Sequence, residues 1–258
     1  MNKSGTPSIV VLKANPKALM RLFCFPYAGG ASHKFGAWRG QLPAVVEICG
    51  VELPGRSARS QEALIVEFDM LVGDIVCELP HWIDKPFAFF GHSLGALLAF
   101  ESARWLREVG RGGPRHLFVS GHPAPQLPPR AALSDLSDER LKAQLRRWEG
   151  TPDALVADGA AMQSILPVLR ADLAASETYV YRPGPPLGCP ITIFGGKMDY
   201  EATAEELAAW RAQTLAGAQV KMFDGGHFFI TTAEADVVAV IAAELRRLAA
   251  IAALMSHG

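Results

Sequence analysis

The segment Gly91-His92-Ser93-Leu94-Gly95 restricts the possible folds of this chain more than any other feature. It joins a short apolar run at 87–90 to a stretch of helical periodicity at 94–109. A G-x-S-x-G pattern between a strand and a helix is the pattern of a nucleophile elbow. There the serine occupies a tight, strained turn with its hydroxyl exposed. Glycine two residues to either side lets strand, turn and helix approach closely enough. The helix that follows aims its N-terminus at the site and stabilises developing negative charge. The same five residues could be an ordinary glycine-flanked turn, but their context favours the elbow and assigns Ser93 as the nucleophile. His92 is a neighbour in sequence only. An elbow aims adjacent side chains in different directions, so His92 reads as a packing or hydrogen-bonding residue.

Short apolar runs alternate with longer amphipathic ones around this point. Residues 22–25, 45–53, 117–120, 191–194 and 220–223 read as strands, bounded by Pro and Gly turn signals. Residues 68–83 and 94–109 have helical spacing. Thr203 with Glu206, and Thr231 with Glu234, match the capping-box pattern before two further helices, the first running to about residue 214. Alternation of this kind implies an α/β fold, with a mostly parallel central sheet and helices on both faces. The expectation is one domain over 1–258. Residues 133–181 interrupt the alternation with two or three helices, broken at 150–152 and at Pro167, and no strand. A helical insertion placed after the nucleophile is where this fold would carry a lid. The plainer alternative is a helical excursion with no gating role.

In elbow enzymes of this kind the acid follows the nucleophile and the histidine follows the acid. Two histidines satisfy that order, His227 and the penultimate His257. His227 lies in a loop just past a predicted strand, where a sheet enzyme presents its catalytic groups, and is assigned as general base. Asp199 follows the strand at 191–194 by one loop and is assigned as the acid that orients the imidazole. Asp224 is the alternative, three residues from His227. Glu201 is a weaker third, and Asp172 belongs to the helical insertion. The oxyanion hole is expected to use the backbone N–H of Leu94 and, from the loop Phe-Pro-Tyr-Ala-Gly-Gly-Ala at 25–31, that of Ala28. That loop lacks the Lys-Ser/Thr ending of a phosphate-binding P-loop.

The formal net charge is -1, which gives no reason to expect nucleic acid or an anionic membrane as partner. No stretch approaches the roughly 20 apolar residues of a membrane span. The N-terminal segment has no apolar run of secretory length. None of the four cysteines has metal-ligand spacing. Cys24, Cys49 and Cys77 sit among apolar residues, and all four are expected to be reduced. These features together point to the cytoplasm.

With these residues assembled, the chain resembles the type II thioesterases of polyketide and nonribosomal peptide assembly lines, members of the α/β-hydrolase superfamily. The resemblance covers about residues 22–230. It rests on the motifs at 25–31, Leu-Pro-Gly-Arg at 53–56, the run 86–100 around Ser93, 117–121, Glu-Thr-Tyr at 177–179, 189–192 and Gly-Gly-His-Phe-Phe at 225–229. It implies an α/β-hydrolase fold and an editing enzyme that removes stalled or aberrant acyl groups from the phosphopantetheine thiol of carrier proteins. It implies acyl or peptidyl carrier proteins as partners, with no cofactor of the enzyme's own because the arm belongs to the partner. A monomer is expected. The family's triad falls on Ser93, Asp199 and His227, and its oxyanion donors on Ala28 and Leu94. Leu94 stands where methionine is common, which matters little because the backbone is what is used. A small-molecule carboxylesterase or lipase, and an inactive carrier-binding scaffold, are the competing readings. Carrier proteins of this kind are acidic, so docking would need a local basic patch. The densest is Arg140, Lys142, Arg146 and Arg147, whose plainer reading is a solvated helix face, then Lys34, Arg39, Arg56 and Arg59.

Overall fold

The computed structural model describes residues 6–255. Its centre is a sheet of strands β1 (Ile9–Lys13), β2 (Met20–Phe25), β3 (Val46–Val51), β4 (Phe87–His92), β5 (Leu117–Ser120), β6 (Ile191–Gly196) and β7 (Ala218–Phe223). Their spatial order is β1-β3-β2-β4-β5-β6-β7. β1 runs antiparallel to β3 and every other pairing is parallel. β1 has no counterpart in the sequence reading. It is a half-exposed edge strand with a register shift between Val11 and Lys13, so its apolar pattern is weak.

The parallel strands are apolar on both faces, and the pleat sorts their side chains by parity. Phe23, Phe25, Cys49, Val51, Phe87 and Phe89 join one core cluster. It includes Phe68, Leu71 and Ile75 of α1 (Phe68–Glu78) and much of α2 (Leu94–Glu108). Met20, Leu22, Cys24, Val46, Ile48, Ala88 and Phe90 join the other. It includes Val237, Val238, Ile241 and Leu245 of the C-terminal helix Glu234–Met255. The sheet is thus covered on both faces, as the alternation implies. Among the described residues no helix is long and apolar enough to cross a membrane.

The insertion contains α3 (Asp138–Trp148), α4 (Asp153–Ala157) and α5 (Gly159–Glu177). Leu141, Leu145, Trp148, Val156, Met162, Leu166, Leu169 and Leu173 form a core of their own. Phe228 belongs to it, and Tyr27 and Ala28 pack against it. The break falls between α3 and α5 as expected, but Pro167 does not break α5. Proline there removes one amide and deprives the carbonyl four residues earlier of its partner. Pro167 and Gln163 are both exposed, so water can serve that carbonyl.

Two other boundaries differ from expectation. The capping box of Thr203 and Glu206 forms, but α6 (Ala204–Ala208) passes into a 3-10 turn at Ala209–Gln213. Thr231 lies inside a separate short helix, α7 (Phe229–Thr232), and the long C-terminal helix begins only at Glu234. Cys24, Cys49 and Cys189 are buried free thiols. Cys77 is also free but exposed, since it falls on the outer face of α1.

The junction of β4 and α2 is built by close backbone approach. A Cβ on Gly91 would stand 2.0 Å from the Gly95 carbonyl oxygen, and one on Gly95 would stand 2.2 Å from that of Phe25. These neighbours are backbone and cannot swing aside. Gly95→Ala should therefore cost about 3 kcal/mol or more, the upper end of overpacking penalties. Gly113→Ala, where a Cβ meets nothing within 4 Å, should stay within about 0.5 kcal/mol. Urea denaturation of the two variants checks the contrast.

Candidate active site

Ser93 sits between β4 and α2 with φ 54° and ψ -123°, a conformation that non-glycine residues rarely adopt. Its amide donates to the Ser120 carbonyl at 2.8 Å, which pins the turn to the neighbouring strand. Leu94 opens α2, so its amide has no acceptor within the helix. Ser93 is partly exposed at the wall of a cavity of ≈ 330 Å³, along with His227, Ala28 and Tyr27. Leu97, Ala124, Leu127, Leu133, Leu173 and Phe228 supply much of the apolar lining.

The loop after β2 crosses this cavity at Tyr27 and Ala28. Its glycine amides are committed elsewhere. Gly30 N–H donates to the Tyr27 carbonyl at 2.8 Å, and Gly29 N–H to Asp172 Oδ2 at 2.7 Å. Asp172, on α5, is almost fully buried and forms a two-pronged pair with the buried Arg56 guanidinium at 2.6 and 2.7 Å. Arg56 also donates to the Gly30 carbonyl at 3.0 Å. One ion pair thus ties the insertion, the turn after β3 and the loop beside Ser93 into a single unit.

Asp199 follows β6, and its side chain has no solvent exposure. Its Oδ2 lies 3.0 Å from His227 Nδ1. Its Oδ1 accepts from the Glu201 amide at 2.8 Å. His227 is 6% exposed. With Nδ1 turned to Asp199, Nε2 is the ring nitrogen left for a reacting group. Asp224 does not approach this pair. Its side chain is 88% exposed and bonded to Lys197 Nζ at 2.6 Å. Glu201 instead accepts from Trp148 and Gln144 of α3. His257 lies outside the described residues.

His92 is fully buried with Nδ1 2.9 Å from Ser120 Oγ, a packing and hydrogen-bonding residue as expected. Burial pushes its imidazole well below the ordinary histidine range, and the neighbouring His227 and His122 add to the effect. Burial also pushes His122, in the cavity wall, down to about 4. Both rings are therefore neutral near pH 7.

This geometry is joined by a family likeness across most of the chain. Residues 20–245 match the model of the Thioesterase domain. The chain belongs to the thioesterase family. The gramicidin S biosynthesis protein GrsT of Aneurinibacillus migulanus is 41% identical over 235 residues, 90% of this thioesterase and 91% of GrsT. Among solved structures, the type II thioesterase BorB from the borrelidin biosynthetic cluster matches with a TM-score of 0.85 at 34% identity, covering 95% of this chain and 100% of BorB. RedJ, the thioesterase of the prodiginine pathway in Streptomyces coelicolor, matches with a TM-score of 0.83 at 41% identity, covering 88% and 86% of the two chains. The α/β-hydrolase fold expected from the elbow is the fold of these neighbours.

Neither Arg56 nor Asp172 is legible in the sequence as a site residue of the thioesterase. Arg56 reads there as a surface cation. Two signals were available: Arg56 closes the Leu-Pro-Gly-Arg motif of the resemblance, and Asp172 is an acidic residue flanked by Ala171 and Leu173 in an apolar helix, which needs a buried partner to be tolerated. Asp172→Asn should leave the buried guanidinium unpaired and cost about 3–5 kcal/mol. The double variant Arg56→Met/Asp172→Leu should recover much of that loss. Denaturant midpoints of the two variants check this.

Proposed function

We propose that this thioesterase hydrolyses stalled or aberrant acyl groups from phosphopantetheine thioesters on carrier proteins of polyketide or nonribosomal peptide synthases. The observation that carries the reading is the placement of Ser93 and an Asp199-oriented His227 on one apolar cavity, in a chain matched over most of its length by the Thioesterase domain and by a type II thioesterase of a biosynthetic cluster.

His227 Nε2 takes the Ser93 proton as Oγ attacks the thioester carbonyl carbon. The Ala28 and Leu94 amides stabilise the oxyanion. The C–S bond breaks, and His227 returns the proton to the departing thiol. His227 then takes a proton from water, whose oxygen attacks the acyl-serine ester. The acid leaves and Ser93 Oγ regains the proton. Asp199 keeps the imidazole in the useful tautomer and stabilises the imidazolium. No cofactor enters this scheme, since the arm arrives on the carrier protein. The proposed enzyme is a cytoplasmic monomer.

Ser93→Ala should remove release of acyl groups from a carrier protein and labelling by a fluorophosphonate, with the thermal midpoint unchanged. In the same release assay, Asp199→Asn should fall by about 10⁴ in turnover, by analogy with the serine-protease triad. Asp224→Asn should be nearly silent, because its carboxylate faces solvent. Better hydrolysis of free carboxylic esters than of carrier-bound thioesters would favour a carboxylesterase.

We place carrier docking on α3. Arg140, Arg146 and Arg147 are exposed and Lys142 is half-buried. Lys142 pairs with Glu139, Arg146 lies 3.9 Å from Asp153, and the Arg147 guanidinium covers the Tyr200 ring. Of the alternatives, Lys34 and Arg39 are exposed. Arg56 and Arg59 are buried in ion pairs with Asp172 and with Asp74 and Glu62, so they are not free for a partner. Charge reversal, Arg146→Glu with Arg147→Glu, should raise KM for an acidic acyl-carrier protein. The defect should weaken above about 0.5 M salt, where surface charges are screened. Hydrolysis of a small free thioester should stay nearly unchanged. Steady-state kinetics with both substrates decides the matter.

A further inference from the structure

Glu201 stands two residues beyond Asp199, yet its side chain takes no part in the Asp199–His227 pair. Its Oε1 accepts from Trp148 Nε1 at 2.9 Å and from Gln144 Nε2 at 3.0 Å. Both donors lie on α3 of the insertion. Its backbone N–H holds the Asp199 oxygen that His227 does not use. One residue therefore grips the acid with its main chain and the insertion with its carboxylate.

Trp148 is 8% exposed, and its ring centroid lies 6.0 Å from that of His227. Trp148, Glu201 and His227 line the cavity that holds Ser93. The same three also line a smaller pocket of ≈ 110 Å³ with Arg147, Met198 and Tyr200. Trp148 and Glu201 thus form a partition beside His227, between the apolar cavity and an outer pocket. Met198 and Tyr200 are largely exposed at that outer pocket.

We propose that Glu201 is a positioning residue whose carboxylate latches Trp148 beside His227, so that closure of α3 and alignment of the acid are set by the side chain and the main chain of one residue. The inference rests on the thioesterase mechanism given above. A closed partition keeps bulk water from the imidazole when it becomes charged. In a low-dielectric surround the Asp199–imidazolium attraction is stronger than it would be in water. The imidazolium forms only during the chemical steps, not on binding. The latch should consequently govern kcat rather than KM.

The test compares Glu201→Ala, Glu201→Gln and Trp148→Phe, singly and as the Glu201→Ala/Trp148→Phe pair. Hydrolysis of an acyl-carrier protein and of a small free thioester would be followed for each. Glutamine retains an acceptor for the indole N–H, and phenylalanine retains a ring but no donor. Glu201→Ala and Trp148→Phe should each lower kcat about tenfold on both substrates, the loss expected from one charge-assisted hydrogen bond. KM should move by less than about twofold. Glu201→Gln should stay within about twofold of wild type. The double variant should also fall about tenfold, not a hundredfold, because both substitutions remove the same bond.

Multiplying losses in the double variant would overturn the latch. So would an effect confined to KM, or a Glu201→Gln variant as impaired as Glu201→Ala. Should Glu201→Ala fail to fold, Glu201→Gln against Trp148→Phe still decides: equal impairment, or none in either, refutes it. Failure of the underlying mechanism is separable, since it would appear as wild-type enzyme without thioesterase activity or labelling at Ser93.

Discussion

The close approach of Gly95 to the end of β2 is the contact on which the site depends. With the Phe25 carbonyl packed where a Cβ would be, α2 starts directly beside the loop that follows β2. Two chain segments far apart in sequence are thereby brought to one place, the Ser93 turn and the Ala28 loop. The strained Ser93 backbone persists because its surroundings over-determine it: Gly91 and Gly95 pack too tightly for another conformation, and the Ser120 carbonyl holds its amide. Sheet order adds the third partner. β6 lies beside β5, and β7 beside β6, so the loops carrying Asp199 and His227 open at the same end as the elbow.

The insertion is not simply laid over this arrangement. α5 reaches into it through Asp172, whose carboxylate holds Arg56 and the Gly29 amide together. A buried ion pair adds little net stability compared with apolar packing, but it is costly to break and exacting in geometry. Here that geometry fixes the loop that carries Ala28. α3 is attached differently, through Glu201 and through packing of Trp148 with Phe228 and the insertion core. One insertion helix thus supports the loop beside Ser93, and another packs beside His227.

Much of this was legible beforehand. The alternation of apolar runs and amphipathic stretches read as a parallel sheet because its central strands are buried on both faces, as β2, β3 and β4 are. Edge and boundary features were less legible. β1 pairs on one side only and lies half in solvent, which blurs its pattern. Pro167 read as a break because sequence does not show that it and Gln163, whose carbonyl it orphans, lie on the exposed side of α5. Arg56 and Arg59 read as surface cations because composition carries no record of which charges find buried partners.

The sequence alone determined the elbow, since G-x-S-x-G between a strand and a helix admits few conformations. It also determined the chain order in which an acid and a histidine must follow. Tertiary structure decided which acid faces His227. Asp199 and Asp224 lie at comparable loop positions after strands, and only the folded chain buries one against the imidazole and leaves the other on Lys197 in solvent. It likewise decided what Arg56, Asp172, Trp148 and Glu201 do. Each acts through a partner from a distant segment, and such pairings depend on where the sheet and the insertion bring the segments together, which local pattern does not encode.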